Sequence, residues 1–212
     1  MKLAREGWPI VAGIVALMIL AAVVSAVWRA WPAAALWLPL APLGAALLFT
    51  LWFFRDPERR PPTDPRALVS PADGKVLRVS SAGVSVFMNV FDVHVCRTPM
   101  AGRVKSVEHV RGSFRAAYQD AASEHNERAH VVVERGACEL RFTLVAGLVA
   151  RRIVCRVRPG QDLALGQRIG LIRFGSRVDV ILPPGCSPEV RRGQRVVAGS
   201  TTIARLPGAE RS

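Results

Sequence analysis

The first 54 residues carry almost no hydrophilic side chains, whereas the rest of the chain switches between apolar and polar positions every few residues. From Trp8 to Trp28 only Ser25 is hydrophilic, and from Pro32 to Phe54 only Thr50 is. Each run is about as long as a helix must be to cross a bilayer's hydrocarbon core. Only Arg29, Ala30 and Trp31 separate them, so the pattern predicts an apolar helical hairpin over 1–54. Trp8, Trp28, Trp31, Trp37 and Trp52 fall toward the ends of the runs, where indole rings favour the membrane interface. Pro39 and Pro42 interrupt the second run and predict either a kink or a shallow, non-spanning path. A cleavable signal peptide ending near Val24-Ser25-Ala26 is the competing reading, but the second run would still hold the mature chain in the membrane. Lys2 and Arg5 precede the hairpin and Arg55, Arg59, Arg60 and Arg66 follow it. That bias predicts both termini in the cytoplasm, with the chain held at the cell (inner) membrane.

Residues 55–66 are polar and rich in proline, which marks a linker. Beyond it, short β-branched runs punctuated by glycine and proline predict strands near 74–80, 84–95, 103–110, 130–135, 138–146, 148–158, 168–174 and 176–182, with a last one near 195–205. Only 114–128 reads as a loop or a short helix. The fold class expected for 67–212 is therefore mainly β, a sandwich or barrel-like domain. Two related phrases, Gly160-Gln161-Asp162-Leu163 and Gly193-Gln194-Arg195-Val196, together with Pro71-Ala72-Asp73-Gly74, resemble the turns of lipoyl-like β-sandwiches. That likeness concerns a fold element and carries no function by itself.

Charge sharpens the picture. The formal net charge is +13, and lysine supplies only Lys2, Lys75 and Lys105 of the cations. Beyond the hairpin the chain has one tyrosine, no tryptophan and no nucleic-acid recognition signature, so anionic lipid rather than nucleic acid is the expected partner of the arginines. Cys96, Cys138, Cys155 and Cys186 lack any paired metal spacing and read as buried thiols of a reducing compartment, with no metal expected.

Four segments carry candidate chemistry. In Leu171 to Leu182, read as one strand, period two puts Ile172, Phe174, Ser176, Val178 and Val180 on one face. A lone hydroxyl on an apolar face is costly unless something accepts its proton, and Gly175 has no side chain to shield its own carbonyl. Asp73 lies in the turn Ser70-Pro71-Ala72-Asp73-Gly74. Asp92 and His94, read as strand residues, share a face with Cα atoms about 6.5–7 Å apart, an arrangement suited to proton transfer near neutral pH. Ser123-Glu124-His125-Asn126-Glu127-Arg128 reads as a polar loop of the kind that contacts substrates.

The order of these phrases resembles the short form of the phosphatidylserine decarboxylase family over nearly the whole chain. Phe53-Phe54-Arg55-Asp56-Pro57-Glu58-Arg59, Pro71-Ala72-Asp73-Gly74, Asp92-Val93-His94, Asn126-Glu127-Arg128, Gly147 to Val154 and Arg173-Phe174-Gly175-Ser176-Arg177-Val178-Asp179 carry the resemblance. It implies self-cleavage between Gly175 and Ser176 into a β chain, 1–175, and an α chain, 176–212. Ser176 becomes a covalent pyruvoyl group, and the family's cleavage triad falls on Asp73, His94 and Ser176. The resemblance further implies that this group forms a Schiff base with phosphatidylserine and that loss of carbon dioxide yields phosphatidylethanolamine. Asn126, Arg128 and Arg177 are the candidate substrate contacts, with Arg151 and Arg152 also open as holders of the phosphate, and the implied partners are the phospholipid substrate, membrane lipid and the α and β chains joined as a heterodimer. Larger bacterial relatives carry a second histidine where this chain has Arg97, so His94 is left to serve both cleavage and decarboxylation. They also cleave within Leu-Gly-Ser-Thr, a phrase approached here by Ala198-Gly199-Ser200-Thr201, but cleavage there would leave a very short tail. Pyridoxal phosphate is not expected, since neither Lys75 nor Lys105 has a phosphate-cradling glycine loop nearby. A non-catalytic, membrane-anchored lipoyl-like adaptor is the alternative; it gives Asp73, His94 and Ser176 no joint role.

Overall fold

A computed structural model describes residues 2–27, 34–112, 126–147, 153–173 and 176–207. The chain forms two compact units, Met1–Glu58 and Arg59–Ser212. In the first, β1 (Lys2–Leu3) leads into α1 (Trp8–Val27), followed by α2 (Ala34–Phe53) and β2 (Arg55–Asp56). β1 and β2 pair antiparallel, which sets the entry and exit of the apolar segment side by side. α1 has 20 residues, none of them buried; at 1.5 Å per residue it is about 30 Å long. With the turn before it, Arg5–Val27 is apolar enough along its length to cross a bilayer. The apolar stretch of α2, Leu38–Phe53, is shorter, and Pro39 and Pro42 stand inside the helix.

The second unit is built of antiparallel strands: β3 (Ala67–Val69), β4 (Gly74–Ser80), β5 (Gly83–Met88), β6 (Val95–Arg97), β7 (Gly102–Val110), β8 (Arg128–Arg135), β9 (Cys138–Val145), β10 (Ile153–Cys155), β11 (Asp162–Leu163), β12 (Arg168–Ile172), β13 (Ser176–Ile181), β14 (Ser187–Pro188), β15 (Arg195–Val196) and β16 (Thr202–Arg205). The largest sheet runs β11-β7-β8-β9-β13-β5-β4-β15, flanked by β10-β12-β6 and β14-β16-β3. The mainly β class expected from the alternation is what the chain adopts. Val178 of β13, Phe142 and Leu144 of β9, Val86 of β5, Ile172 of β12 and Ile203 of β16 belong to one apolar cluster, so the core joins all three sheets.

Local hydrogen bonding redraws several predicted strands. The 84–95 run ends at Met88, because Asn89 and Asp92 capture backbone amides that a strand would pair: Asp92 Oδ2 accepts from the Asn89 amide at 2.9 Å and Asn89 Oδ1 from the Phe91 amide at 2.7 Å. Asp92 and His94 are therefore not neighbours on one strand face. The separate strands expected at 168–174 and 176–182 are present as β12 and β13, but they lie in different sheets, so the period-two reading of 171–182 as one strand does not hold. The 195–205 run divides into β15 and β16 around the turn Ala198–Thr201. Of the predicted 148–158 strand, 148–152 lie outside the described residues and Ile153–Cys155 are extended; most of 114–128 and Phe174 also lie outside.

The glycine-glutamine phrases have a shared cause. Gln161, Gln167 and Gln194 each accept, through Oε1, from the amide three residues earlier. Each also donates its own amide to that residue's carbonyl. Closing this reciprocal turn puts the preceding residue at positive φ, and glycine occupies it at 160, 166 and 193.

Candidate active site

Ser176 opens β13 opposite Met88 of β5. Its side chain is fully buried on the Val178–Val180 face, and its Oγ makes no hydrogen bond among the described residues. Leaving a buried hydroxyl in that state costs ~1–3 kcal/mol, a cost that packing alone does not require at this position. Gly175, the other half of the predicted cleavage pair, lies outside the described residues.

Backbone pairing draws His94 toward the same link. The Ile172 amide, at the end of β12, donates to the His94 carbonyl at 3.3 Å, and Val95 pairs with Leu171. The segment 88–94 is thus pinned to 172–176 at both ends, by Met88 opposite Ser176 and by His94 bonded to Ile172. The imidazole is almost completely buried, with Nδ1 2.9 Å from the Asp92 carbonyl oxygen. A carbonyl only accepts, so Nδ1 carries a proton, and the tautomer this selects has its lone pair at Nε2. The backbone of Asp92 orients His94, while its carboxylate turns to the Asn89 amide and to Arg195 Nη1, 3.0 Å away.

Asp73 sits in the turn before β4. Its Oδ2 accepts from Arg59 Nη2 at 2.7 Å and its Oδ1 from the Ala198 amide at 2.8 Å. The turn is tied to β6, the strand that follows His94, because the Arg97 amide donates to Pro71 O at 2.8 Å. Arg97 sends its side chain elsewhere, with Nη1 3.0 Å from Gly166 O. Burial pushes the Cys96 thiol far above its ordinary pKa, and the charges of Cys155 and Asp73 add to that. Cys96 is thus an inert thiol two residues from His94.

The predicted substrate contacts divide. Asn126 is fully buried, with Nδ2 donating to Ala146 O at 2.7 Å. Its neighbour Glu127 accepts from the Ala146 amide through its carbonyl and from the Ile153 amide through Oε1. The two residues brace both ends of the 147–152 segment. Arg128 and Arg177 each pair with Val145, so they flank it in one rung. Strand alternation puts that rung's side chains on the face opposite Ser176. Arg177 is fully buried there, with Nε 3.0 Å from Asp179 Oδ1. Ser123, Glu124, His125, Arg151 and Arg152 lie outside the described residues.

Sequence reasoning did not find Arg59, the Ala198 amide or the Asp92 carbonyl. Arg59 looked like one more linker cation, and backbone groups carry no residue-type signal.

Comparison with known proteins gives a consistent answer. The sequence model of a family described as phosphatidylserine decarboxylase matches residues 46–204. A "phosphatidylserine decarboxylase proenzyme" of Erythrobacter litoralis (strain HTCC2594) is 50% identical over 189 residues, covering 78% of this chain and 76% of that protein. A proenzyme of the same name from Burkholderia mallei (strain SAVP1) is 46% identical over 218 residues, covering 97% and 95%. One from Chlorobium chlorochromatii (strain CaD3) is 46% identical over 169 residues, covering 75% and 80%.

Proposed function

The chain belongs to the phosphatidylserine decarboxylase family and is an enzyme, and we propose that it cuts itself at Gly175–Ser176 and decarboxylates phosphatidylserine to phosphatidylethanolamine. The observation that carries the proposal is the buried Ser176 Oγ, without a hydrogen bond among the described residues, at the head of a strand whose entry is pinned to His94. A structural serine would have found an acceptor. A serine about to give up its proton to a base fits this setting.

In this reading His94 Nε2 takes the Oγ proton, and the oxygen attacks the Gly175 carbonyl. The C–N bond breaks, the acyl group passes to oxygen as an ester, and the freed amine takes up the proton. Loss of the Ser176 α-proton then expels the Gly175 carboxylate and leaves dehydroalanine, which water converts to a terminal pyruvoyl group with release of ammonia. Asp73, held in place by Arg59 and the Ala198 amide, supplies negative charge that favours the imidazolium. Ser200 makes a poorer nucleophile, because the Ala198–Thr201 turn is fastened by Asp73 and by Thr201 Oγ1, which accepts from the Val197 amide at 2.9 Å.

The site suits the resulting group: Ser176 is fully buried opposite Met88, and Met88 and Val178 both belong to the apolar core. Once formed, the pyruvoyl carbonyl supplies an electron sink for the electrons that carbon dioxide leaves behind. The chain's own part is to exclude water from the departing carboxylate and to hold a proton on His94 for return to carbon. Asn126 would shape the pocket by bracing the 147–152 segment. A headgroup phosphate held by Arg128 or Arg177 would lie across the end of the sheet from Ser176. We assign 1–54 as the membrane-anchoring hairpin, 55–66 as linker and 67–212 as the catalytic domain, on the cytoplasmic side of the inner membrane. The length and apolarity of α1 support the anchor.

A denaturing gel and intact mass test the reading. The protein should run as two chains, the smaller beginning at position 176 with a blocked terminus, while Ser176→Ala should stay whole and release no carbon dioxide from phosphatidylserine. An active preparation that remains one polypeptide, or a small chain starting at 200, would overturn it.

A further inference from the structure

Among its described residues, the unit Arg59–Ser212 exposes two large apolar side chains, Ile181 and Phe91, and Phe91 is the more exposed at 68%. Phe91 stands on the Asn89–Asp92 turn. Three bonds stiffen that turn: the Asn89 amide to Asp92 Oδ2, the Phe91 amide to Asn89 Oδ1, and the Asp92 amide to Asn89 O. The ring is therefore held out by a built turn and is not carried on a loose end.

Cations adjoin it. Arg195, 70% exposed, reaches the turn through Nη1 at 3.0 Å from Asp92 Oδ1. Arg195 pairs across the strands with Lys75, which is exposed. The turn leading into β15 adds exposed Arg191 and Arg192, and the Gln194 side chain, accepting from the Arg191 amide, fixes it. The acid within this surface, Asp92, is buried and already meets Arg195.

We propose that Phe91, Lys75, Arg191, Arg192 and Arg195 form a docking surface for an anionic lipid bilayer, with the ring entering the interface and the cations set against lipid phosphates. An anionic surface attracts clustered Lys and Arg, and an aromatic ring among them gains by leaving water at the acyl boundary. Single-stranded nucleic acid also combines cations with aromatics, but it needs several rings along a groove; here one ring stands on a turn. The docking turn runs into His94 two residues beyond Asp92, so contact there would set the proposed active site at headgroup depth. The surface is read from charge and exposure, and its test does not require that the decarboxylase mechanism be right.

The test uses the full chain in nanodiscs of phosphatidylcholine alone or mixed with phosphatidylglycerol, followed by hydrogen–deuterium exchange. Peptides covering 88–93 and 191–196 should exchange about fivefold or more slowly in the anionic discs, the factor expected per surface cation. High salt should remove the difference, as should Arg191→Glu with Arg192→Glu, while peptides from Cys138–Val145 stay unchanged as a check on the fold. Self-cleavage of the double variant, followed on a gel, separates this surface from the active site. Equal exchange in the two lipids, or protection that survives the double charge reversal, would overturn the proposal. So would equal protection by single-stranded DNA in neutral discs, which would mark a nucleic-acid surface instead.

Discussion

At the scale of single residues, the groups around Ser176 differ in how firmly they are held. The His94 Nδ1 bonds a backbone carbonyl, an arrangement no side-chain substitution at 92 removes directly. Asp73 depends on a side chain, Arg59, at 2.7 Å in a mostly buried ion pair. Charge-assisted bonds of this kind are stronger than neutral ones. Removing Arg59 takes away the bond that fixes Asp73 Oδ2 in place, so the carboxylate is no longer held where its charge favours an imidazolium. Arg59→Ala should therefore slow self-cleavage on the order of tenfold, the rate equivalent of about 1.4 kcal/mol. In an Asp73→Asn background the same change should add nothing further, because the two residues act as a unit. A time course of precursor disappearance measures both, and additive effects of the two substitutions would show that Arg59 works through something other than Asp73.

At the scale of elements, one rung of the large sheet carries a titration. His130 of β8 pairs with Glu108 of β7 and Thr143 of β9, with Nδ1 2.8 Å from Thr143 Oγ1. Arg128 on its own strand, Arg141 on β9 and Asp179 on β13, opposite Thr143, complete its charged surroundings. Burial holds its pKa below the ordinary histidine value, Arg128 adds to this, and Glu108 opposes it. The unfolded chain then binds a proton more readily than the folded one. Stability is unaffected above the unfolded value near ~6.5 and declines as pH falls below it, until the folded pKa is reached. Denaturant unfolding should show that decline, and His130→Gln should flatten it; superimposable pH profiles would refute the assignment. The elements themselves were unevenly legible in the sequence. The β-branched, apolar-rich pattern marked β4, β7, β8 and β9 to within a few residues. It ran through 89–94 because Val90, Phe91 and Val93 look like strand residues, while the competition of Asn89 and Asp92 for amides leaves no periodic trace. Two-residue strands such as β11 and β14 are too short to show any period. Ser176, His94 and Asp73 could be singled out by residue type and order, but the partners now seen around them, an amide and a carbonyl, have no letter in the sequence.

At the scale of the molecule, the proposed cut falls where the chain passes from β12 in one sheet to β13 in another. Ser176 is the first residue of β13, so the proposed break leaves that strand whole. The segment C-terminal to the cut is deeply embedded: β13 pairs with β5 on one side and β9 on the other, and Val178 and Val180 are buried in the common core. β15 closes the edge of the same sheet against β4, and β16 pairs with β3. The new terminus at Ser176 therefore begins beside Met88 with its side chain already enclosed, and the fold has no need to rearrange after cleavage. We expect the two chains to copurify through gel filtration at high salt, because apolar burial and strand pairing, which salt does not screen, join them. They should part only across the same denaturant transition that unfolds the sheet. A small chain lost from the native protein by dilution or salt alone would mean that the segment after 176 is not held as β13 between β5 and β9.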